Sequence, residues 1–77
     1  MKKQIELELL ATLKRYLPGS LNAFEIEPGI TVGTLVSQLG IPEYEINLVF
    51  VNGEKANLDS VLTGGERVGL FPPLGGG

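Results

Sequence analysis

Cysteine and histidine are both absent from this 77-residue sequence. Without cysteine there is no disulfide framework, no thiolate nucleophile and no thiolate metal site, a composition that fits a reducing cytoplasm. A long apolar run is missing too: no uninterrupted stretch approaches the roughly 20 residues of a membrane helix. Two lysines open the chain as a signal peptide would, but Glu6 and Glu8 interrupt the apolar stretch that should follow. The expectation is a soluble, cytoplasmic chain with no membrane partner. Dense basic blocks are also lacking. Six Lys and Arg against nine Asp and Glu leave a net charge of −3, with no phosphate-binding stripe, so nucleic acid is not an expected partner. No cluster has calcium-loop or zinc spacing, and no metal or cofactor is expected.

What is present is enough for one small core. Hydrophobic residues make up 43% of the chain and charged residues 19%, unlike a disordered segment. The length suits a single domain. Ile5, Leu7 and Leu9 alternate with Glu6 and Glu8, the period of a strand with one wet face. Leu10 to Leu17 shows no such alternation and reads as a loop with a helical turn, broken by Pro18-Gly19. Ala23 to Glu27 alternates again and stops at Pro28-Gly29, which predicts a second short strand.

Val32, Leu35, Val36 and Leu39 then align one apolar stripe at helical spacing. Thr31 suits the N-cap, with Ile30 stapled onto Leu35, and Gly40 and Pro42 stop the helix. Leu48-Val49-Phe50-Val51 is a continuous apolar run that reads as a central strand. Asn52-Gly53 is a hairpin turn, Glu54 to Ala56 a brief return strand, Leu58 to Leu62 an apolar connector. Gly64-Gly65 turns the chain into a last strand, Glu66 to Phe71, with Val68 and Leu70 on one face. The order is α+β: one main helix packed across a mixed sheet.

The paired carboxylates Glu6/Glu8 and Glu25/Glu27 lie on strand faces and read as solvated positions, not acid–base pairs. Glu43 and Glu45, flanking Tyr44 in a loop, read the same way. The chemistry-bearing segment is Phe71-Pro72-Pro73-Leu74-Gly75-Gly76-Gly77. Two readings compete for it: a flexible glycine end, or a tail suited to a partner's site. Proline fixes φ and favours an extended conformation, so Pro72-Pro73 is a stiff base. Three glycines present no Cβ to a narrow tunnel, and Leu74 to Gly77, fully extended, reach roughly 13–14 Å. A terminal carboxylate, with a reference pKa of about 3.3–3.7, is an unreactive anion at neutral pH. It becomes an acyl donor only when activated, most simply as a mixed anhydride with AMP. A chain without histidine, cysteine or a phosphate-binding loop leaves that step to a partner. Phe71 is either a core strand end or an aromatic anchor of a partner interface.

The Phe-Pro-Pro-Leu-Gly-Gly-Gly end, the length and the element order together resemble the MoaD/ThiS family of ubiquitin-like sulfur carriers. The resemblance is nearest to the small subunit of molybdopterin synthase, whose members typically end Phe-Pro-Pro-x-x-Gly-Gly. It implies a β-grasp domain over 1–71, first and last strands adjacent at the sheet centre, and a reactive tail over 72–77. Carried over, Gly77 is the acyl-adenylate and thiocarboxylate site. Leu74, Gly75 and Gly76 enter the partner, and Phe71, Pro72 and Pro73 contact it. The implied partners are an ATP-dependent adenylating enzyme of the ubiquitin-activating type and a large synthase subunit. The implied role is sulfur donation in molybdopterin synthesis, without catalysis by this chain. The alternatives are a ubiquitin-like modifier conjugated through Gly77 and a thiamine-type carrier, whose members share Gly-Gly but usually lack Phe-Pro-Pro. One departure stands out: the family often carries an acidic residue, then Gly-Asp, before the last strand, where this chain has Gly64-Gly65-Glu66.

Overall fold

Each strand in the computed structural model follows from where its apolar residues can be hidden. The structure describes residues 1–17 and 23–73; the Pro18-Gly19 break lies outside them. The elements run β1 (Lys3–Leu9), a 3₁₀ helix (Ala11–Tyr16), β2 (Ala23–Ile26), α1 (Val32–Leu39), a second 3₁₀ turn (Glu43–Glu45), β3 (Leu48–Val51), β4 (Glu54–Ala56) and β5 (Arg67–Phe71). They form one mixed sheet in the order β2-β1-β5-β3-β4. β1 and β5 run parallel, and the other pairs are antiparallel. The expected adjacency of first and last strands holds, with β5 at the centre.

Alternation decides the two faces of the sheet. In β1, Ile5, Leu7 and Leu9 are buried while Glu6 and Glu8 are exposed. In β5, Val68 and Leu70 point into the same core. Against them lie Val32, Leu35 and Val36 of α1, all fully buried. The stripe read from the sequence is therefore the packing face, although Leu39, at its end, is only partly buried.

The ends of α1 are closed by identifiable partners. The first N–H groups of a helix have no intrahelical acceptor. Here Val32 N donates to Ser60 O at 2.9 Å and Gly33 N to Leu58 O at 2.8 Å. Thr34 N donates to the Thr31 hydroxyl at 3.1 Å, the cap expected from the sequence. The Leu58-to-Leu62 connector thus does more than link strands: its carbonyls finish the helix, and Leu62 is fully buried. At the other end Gly40 takes φ +78° and Ile41 N donates back to Val36 O at 3.1 Å. Ile41 follows into the core, the hydrophobic closure such a cap brings.

Three expectations need correction. Leu10 to Leu17 is not mainly loop: Ala11–Tyr16 is a 3₁₀ helix whose Leu13 is fully buried. One buried residue in six gives no periodic signal, which is why the pattern was silent. β3 is interior, yet its apolar run is not buried on both faces, for only Val49 is buried and Leu48, Phe50 and Val51 are half-buried. Glu45 is not a freely solvated loop carboxylate. Tyr16 donates its hydroxyl to Glu45 Oε2 at 3.1 Å, and Arg15 Nη2 reaches Glu45 Oε1 at 3.3 Å, tying the two 3₁₀ segments together. The hydrogen bond and charge interaction with Tyr16, and after them the charge of Glu45, push the Arg15 guanidinium above its ordinary pKa.

Leu35→Ala is expected to destabilise the fold by about 2–5 kcal/mol, the usual range for a leucine truncated inside a core. Urea unfolding checks it, and a loss below about 0.5 kcal/mol, the scale of surface substitutions, would mean that α1 does not pack through this residue.

Candidate functional site

β5 carries chemistry on the face that α1 does not cover. Arg67, Gly69 and Phe71 alternate with the core residues Val68 and Leu70, so period two places them on the open side. Register brings neighbours to them. Glu8 of β1 and Phe50 of β3 are the cross-strand partners of Gly69, Glu6 is that of Arg67, and Leu48 is that of Phe71. Phe50 and Phe71 meet edge to face, ring centroids 5.3 Å apart at 77°. That geometry suits the ring quadrupoles. Phe71 is therefore not a helix-side core residue; it is half-buried on the open sheet face.

Between these side chains lies a depression of about 280 Å³, lined by Glu8, Phe50, Gly53, Arg67, Gly69 and Phe71. Its floor is Gly69. A Cβ placed there would stand 3.7 Å from Phe71 Cε1, 3.9 Å from Phe50 Cβ and 4.0 Å from Glu8 Oε1. The missing side chain is what opens the space. Glu6 and Arg67 form an exposed ion pair beside it, with Nε–Oε2 at 3.8 Å. Glu8 makes no ion pair with any described residue.

The strand ends in a defined way. Phe71 O accepts from Asn47 N at 2.7 Å. Pro72 and Pro73 follow with no N–H to donate, so the ladder stops by covalent chemistry. Pro72 is half-buried and Pro73 exposed. Leu74, Gly75, Gly76 and Gly77 lie outside the described residues. The structure thus brings Phe71 together with Phe50, Gly69 and Glu8, and it sets Pro72-Pro73 at the end of the central strand.

The entrance to β5 is built as carefully as its exit. Asn52 and Gly53 take φ +55° and +82°, as expected for their turn, and Asn52 Oδ1 accepts from Arg67 N at 3.0 Å. Glu66 closes the turn before the strand. Its carboxylate accepts from Thr63 N and Gly64 N, each at 2.8 Å, and from the Thr63 hydroxyl at 3.0 Å. Partial burial alone would raise its pKa, but these donors outweigh that effect and hold the carboxyl below its ordinary value. Gly64 has φ +113°, and a Cβ there would lie 2.5 Å from Lys3 Cβ, so the turn is pressed against β1.

Neither Phe50 nor Gly69 is picked out as a site residue in the sequence, and Glu8 is marked there only as a solvated strand position, which its exposure matches. Phe50 sat inside an all-apolar run, which hides which face a residue takes. Gly69 did carry a signal, since an isolated glycine within a strand pattern marks a close approach. Among the described residues no group of three or more Asp, Glu, His or Cys is placed to hold a metal ion. No helix there is long and apolar enough to cross a membrane.

The fold is that of ubiquitin-like β-grasp proteins, and residues 2–74 match the family model of the Mut7-C ubiquitin domain. The chain belongs to the Mut7-C ubiquitin family. The ubiquitin-like resemblance read from its sequence is thereby borne out. No curated protein matches it. Among solved structures it is similar to the Haloferax volcanii HVO 2177 protein, with a TM-score of 0.76 and 22% identity over 99% of this chain and 88% of that one. It is also similar to small archaeal modifier protein 1 of Haloferax volcanii, with a TM-score of 0.67 and 23% identity over 94% and 99%. A third likeness is to a Pyrococcus furiosus protein named as subunit 1 of a molybdopterin converting factor, at 0.63 and 23% over 94% and 99%. At these identities the likenesses establish the shared fold.

The Glu66 turn predicts how this domain responds to acid. A carboxyl whose folded pKa is depressed contributes stability above its unfolded pKa and loses it as pH falls through the folded value. The gap in thermal midpoint between the parent chain and Glu66→Gln should be widest near neutrality and shrink below about pH 4.3, the reference glutamate value. Melting curves from neutral to acid pH check it; a gap independent of pH would mean that the charge of Glu66 does not support the turn.

Proposed function

We propose that this Mut7-C ubiquitin domain is a sulfur carrier acting through Gly77, in the manner of the small subunit of molybdopterin synthase. The observation that carries the reading is the Phe71-Pro72-Pro73-Leu74-Gly75-Gly76-Gly77 segment issuing from the central strand of a β-grasp sheet. The name of the Pyrococcus furiosus neighbour supports the molybdopterin branch. On this reading residues 1–71 are the docking domain and 72–77 the working tail.

The chemistry falls to partners. An ATP-dependent enzyme of the ubiquitin-activating type joins a Gly77 carboxylate oxygen to the α-phosphorus of ATP and releases pyrophosphate. A persulfide sulfur then attacks the acyl carbon and displaces AMP. Cleavage of the resulting S–S bond by a thiol leaves the thiocarboxylate. The large synthase subunit receives Leu74 to Gly77 and takes the sulfur, while Phe71, Pro72 and Pro73 meet its surface. A second reading is favoured by the likeness to small archaeal modifier protein 1: an isopeptide bond from Gly77 to a lysine of a target protein. Both begin with the same adenylate.

Intact mass spectrometry of the chain from its native cell separates the readings. A carrier ends at Gly77 with sulfur replacing one oxygen; a modifier is found attached to a second polypeptide. A chain with neither would overturn both. Removal of Gly76 and Gly77 should abolish adenylation and leave the thermal midpoint unchanged, because every described buried apolar residue precedes Phe71. Unfolding of the truncated chain would instead make the tail structural. Gly76→Ala should slow single-turnover sulfur transfer from a preformed thiocarboxylate far more than Lys2→Ala does. The defect is steric, so changing ionic strength should not rescue it. Transfer at the parent rate would exclude a tight tunnel around Gly76.

A further inference from the structure

The open sheet face carries an acid and two aromatic rings around a hole; the carrier reading puts Phe71 at the partner's surface but gives no role to Glu8, Phe50 or the hole itself. Glu8, Phe50 and Phe71 converge over the bare backbone of Gly69, which is itself buried. Two apolar walls alone would suit a leucine or a phenylalanine. The third wall is a carboxylate with no ion-pair partner among the described residues. Arg67 also lines the depression, two residues from Gly69, and is paired with Glu6 through Nε at 3.8 Å. With Arg67 balanced by Glu6, the Glu8 carboxylate leaves the surroundings of the hole with a net negative charge.

A side chain that satisfies all three walls needs a flat apolar surface and a positive charge on one group. Guanidinium has both: it stacks on aromatic faces and pairs with a carboxylate through parallel N–H donors. An ammonium supplies the charge but not the flat surface. We infer that the depression over Gly69 is a docking pocket for an arginine side chain of a protein partner, with Phe50 and Phe71 as its aromatic walls and Glu8 as its counter-charge. The inference rests on the reading that this domain works by docking onto a larger partner. It adds what that partner presents: an arginine projecting toward the centre of the sheet, one strand end away from where the tail departs. Arginine is a frequent hot-spot residue of protein interfaces, and a desolvated pocket is where such an anchor binds most strongly.

The test is a chemical-shift titration of the isotope-labelled full chain with three blocked tripeptides. Glycine flanks a central arginine, citrulline or leucine. Citrulline keeps the length and near-planar end of arginine but not its charge. The arginine peptide should shift the Glu8, Phe50, Gly69 and Phe71 amides saturably. It should bind about 3- to 30-fold tighter than the citrulline peptide, as one exposed ion pair and one cation–π contact allow. Glu8→Gln should remove that preference. Gly69→Ala should abolish binding by filling the floor, and its methyl would make only ordinary contacts, so the fold should survive. A thermal midpoint within a few degrees of the parent verifies that it does. Leucine binding as tightly at the same amides, or no shift at them with arginine, would overturn the pocket. So would concentration-dependent shifts at these amides without peptide, which would give the face to a second copy of the chain. The titration needs no ATP and no activating enzyme. Its failure leaves the Gly77 chemistry standing, and a Gly77 found without sulfur leaves the pocket standing.

Discussion

The parallel pairing of β1 with β5 is the constraint on which the rest of this domain depends. It joins the first strand of the chain to the last, so everything between them must fit within one closed loop, and closing that loop costs entropy that only cooperative burial can offset. Ile5, Leu7 and Leu9 from one strand and Val68 and Leu70 from the other form the centre of the core. The turn at Gly64 to Glu66 then fixes the register: Gly65 N donates to Gln4 O at 2.7 Å and Glu6 N to Glu66 O at 2.9 Å. Because the side-chain period of a strand is two, a slip of one residue here would send Val68 and Leu70 to solvent and Gly69 and Phe71 into the core.

That same period creates the open face of the sheet. β5 cannot bury Val68 and Leu70 without presenting Arg67, Gly69 and Phe71 on the opposite face. The neighbouring strands contribute Glu8 and Phe50 at the height of Gly69, and the proline pair begins where the Asn47–Phe71 hydrogen bond ends. The open face and the proline pair thus share one strand, β5. On the proposed reading, a partner that recognises the open face would meet the residues after Phe71 without a second recognition element. In the proposed pocket, the acid, the aromatic rings and the glycine floor would supply the specificity that a uniformly apolar patch lacks.

The elements closing the core are less obvious and equally necessary. The Leu58-to-Leu62 connector provides carbonyls for the unsatisfied N–H groups of α1 and a buried leucine for the core. The Tyr16–Glu45 hydrogen bond holds together two 3₁₀ segments that belong to different parts of the chain. These contacts explain how an eight-residue helix persists: such a helix is too short to be stable alone.

Local periodicity by itself determined β1, β2, α1 with both of its caps, the Asn52-Gly53 hairpin and the face of β5 that enters the core. Each of those signals is carried by residues a few positions apart, where side-chain direction follows directly from backbone period. The proline pair after Phe71 was legible as the stop of the last strand for the same reason, since proline has no N–H to donate. The tertiary structure alone decided the place of Phe50 on the open face, the 3₁₀ helix that buries Leu13, the carbonyls that cap α1 and the engagement of Glu45. It also decided that Phe71 joins Phe50 and Glu8 over Gly69. These features unite residues far apart in sequence, and an apolar run such as Leu48 to Val51 has no alternation to say which side faces the helix. Only the register of β3 against β5 settles that, and register is a property of the folded sheet.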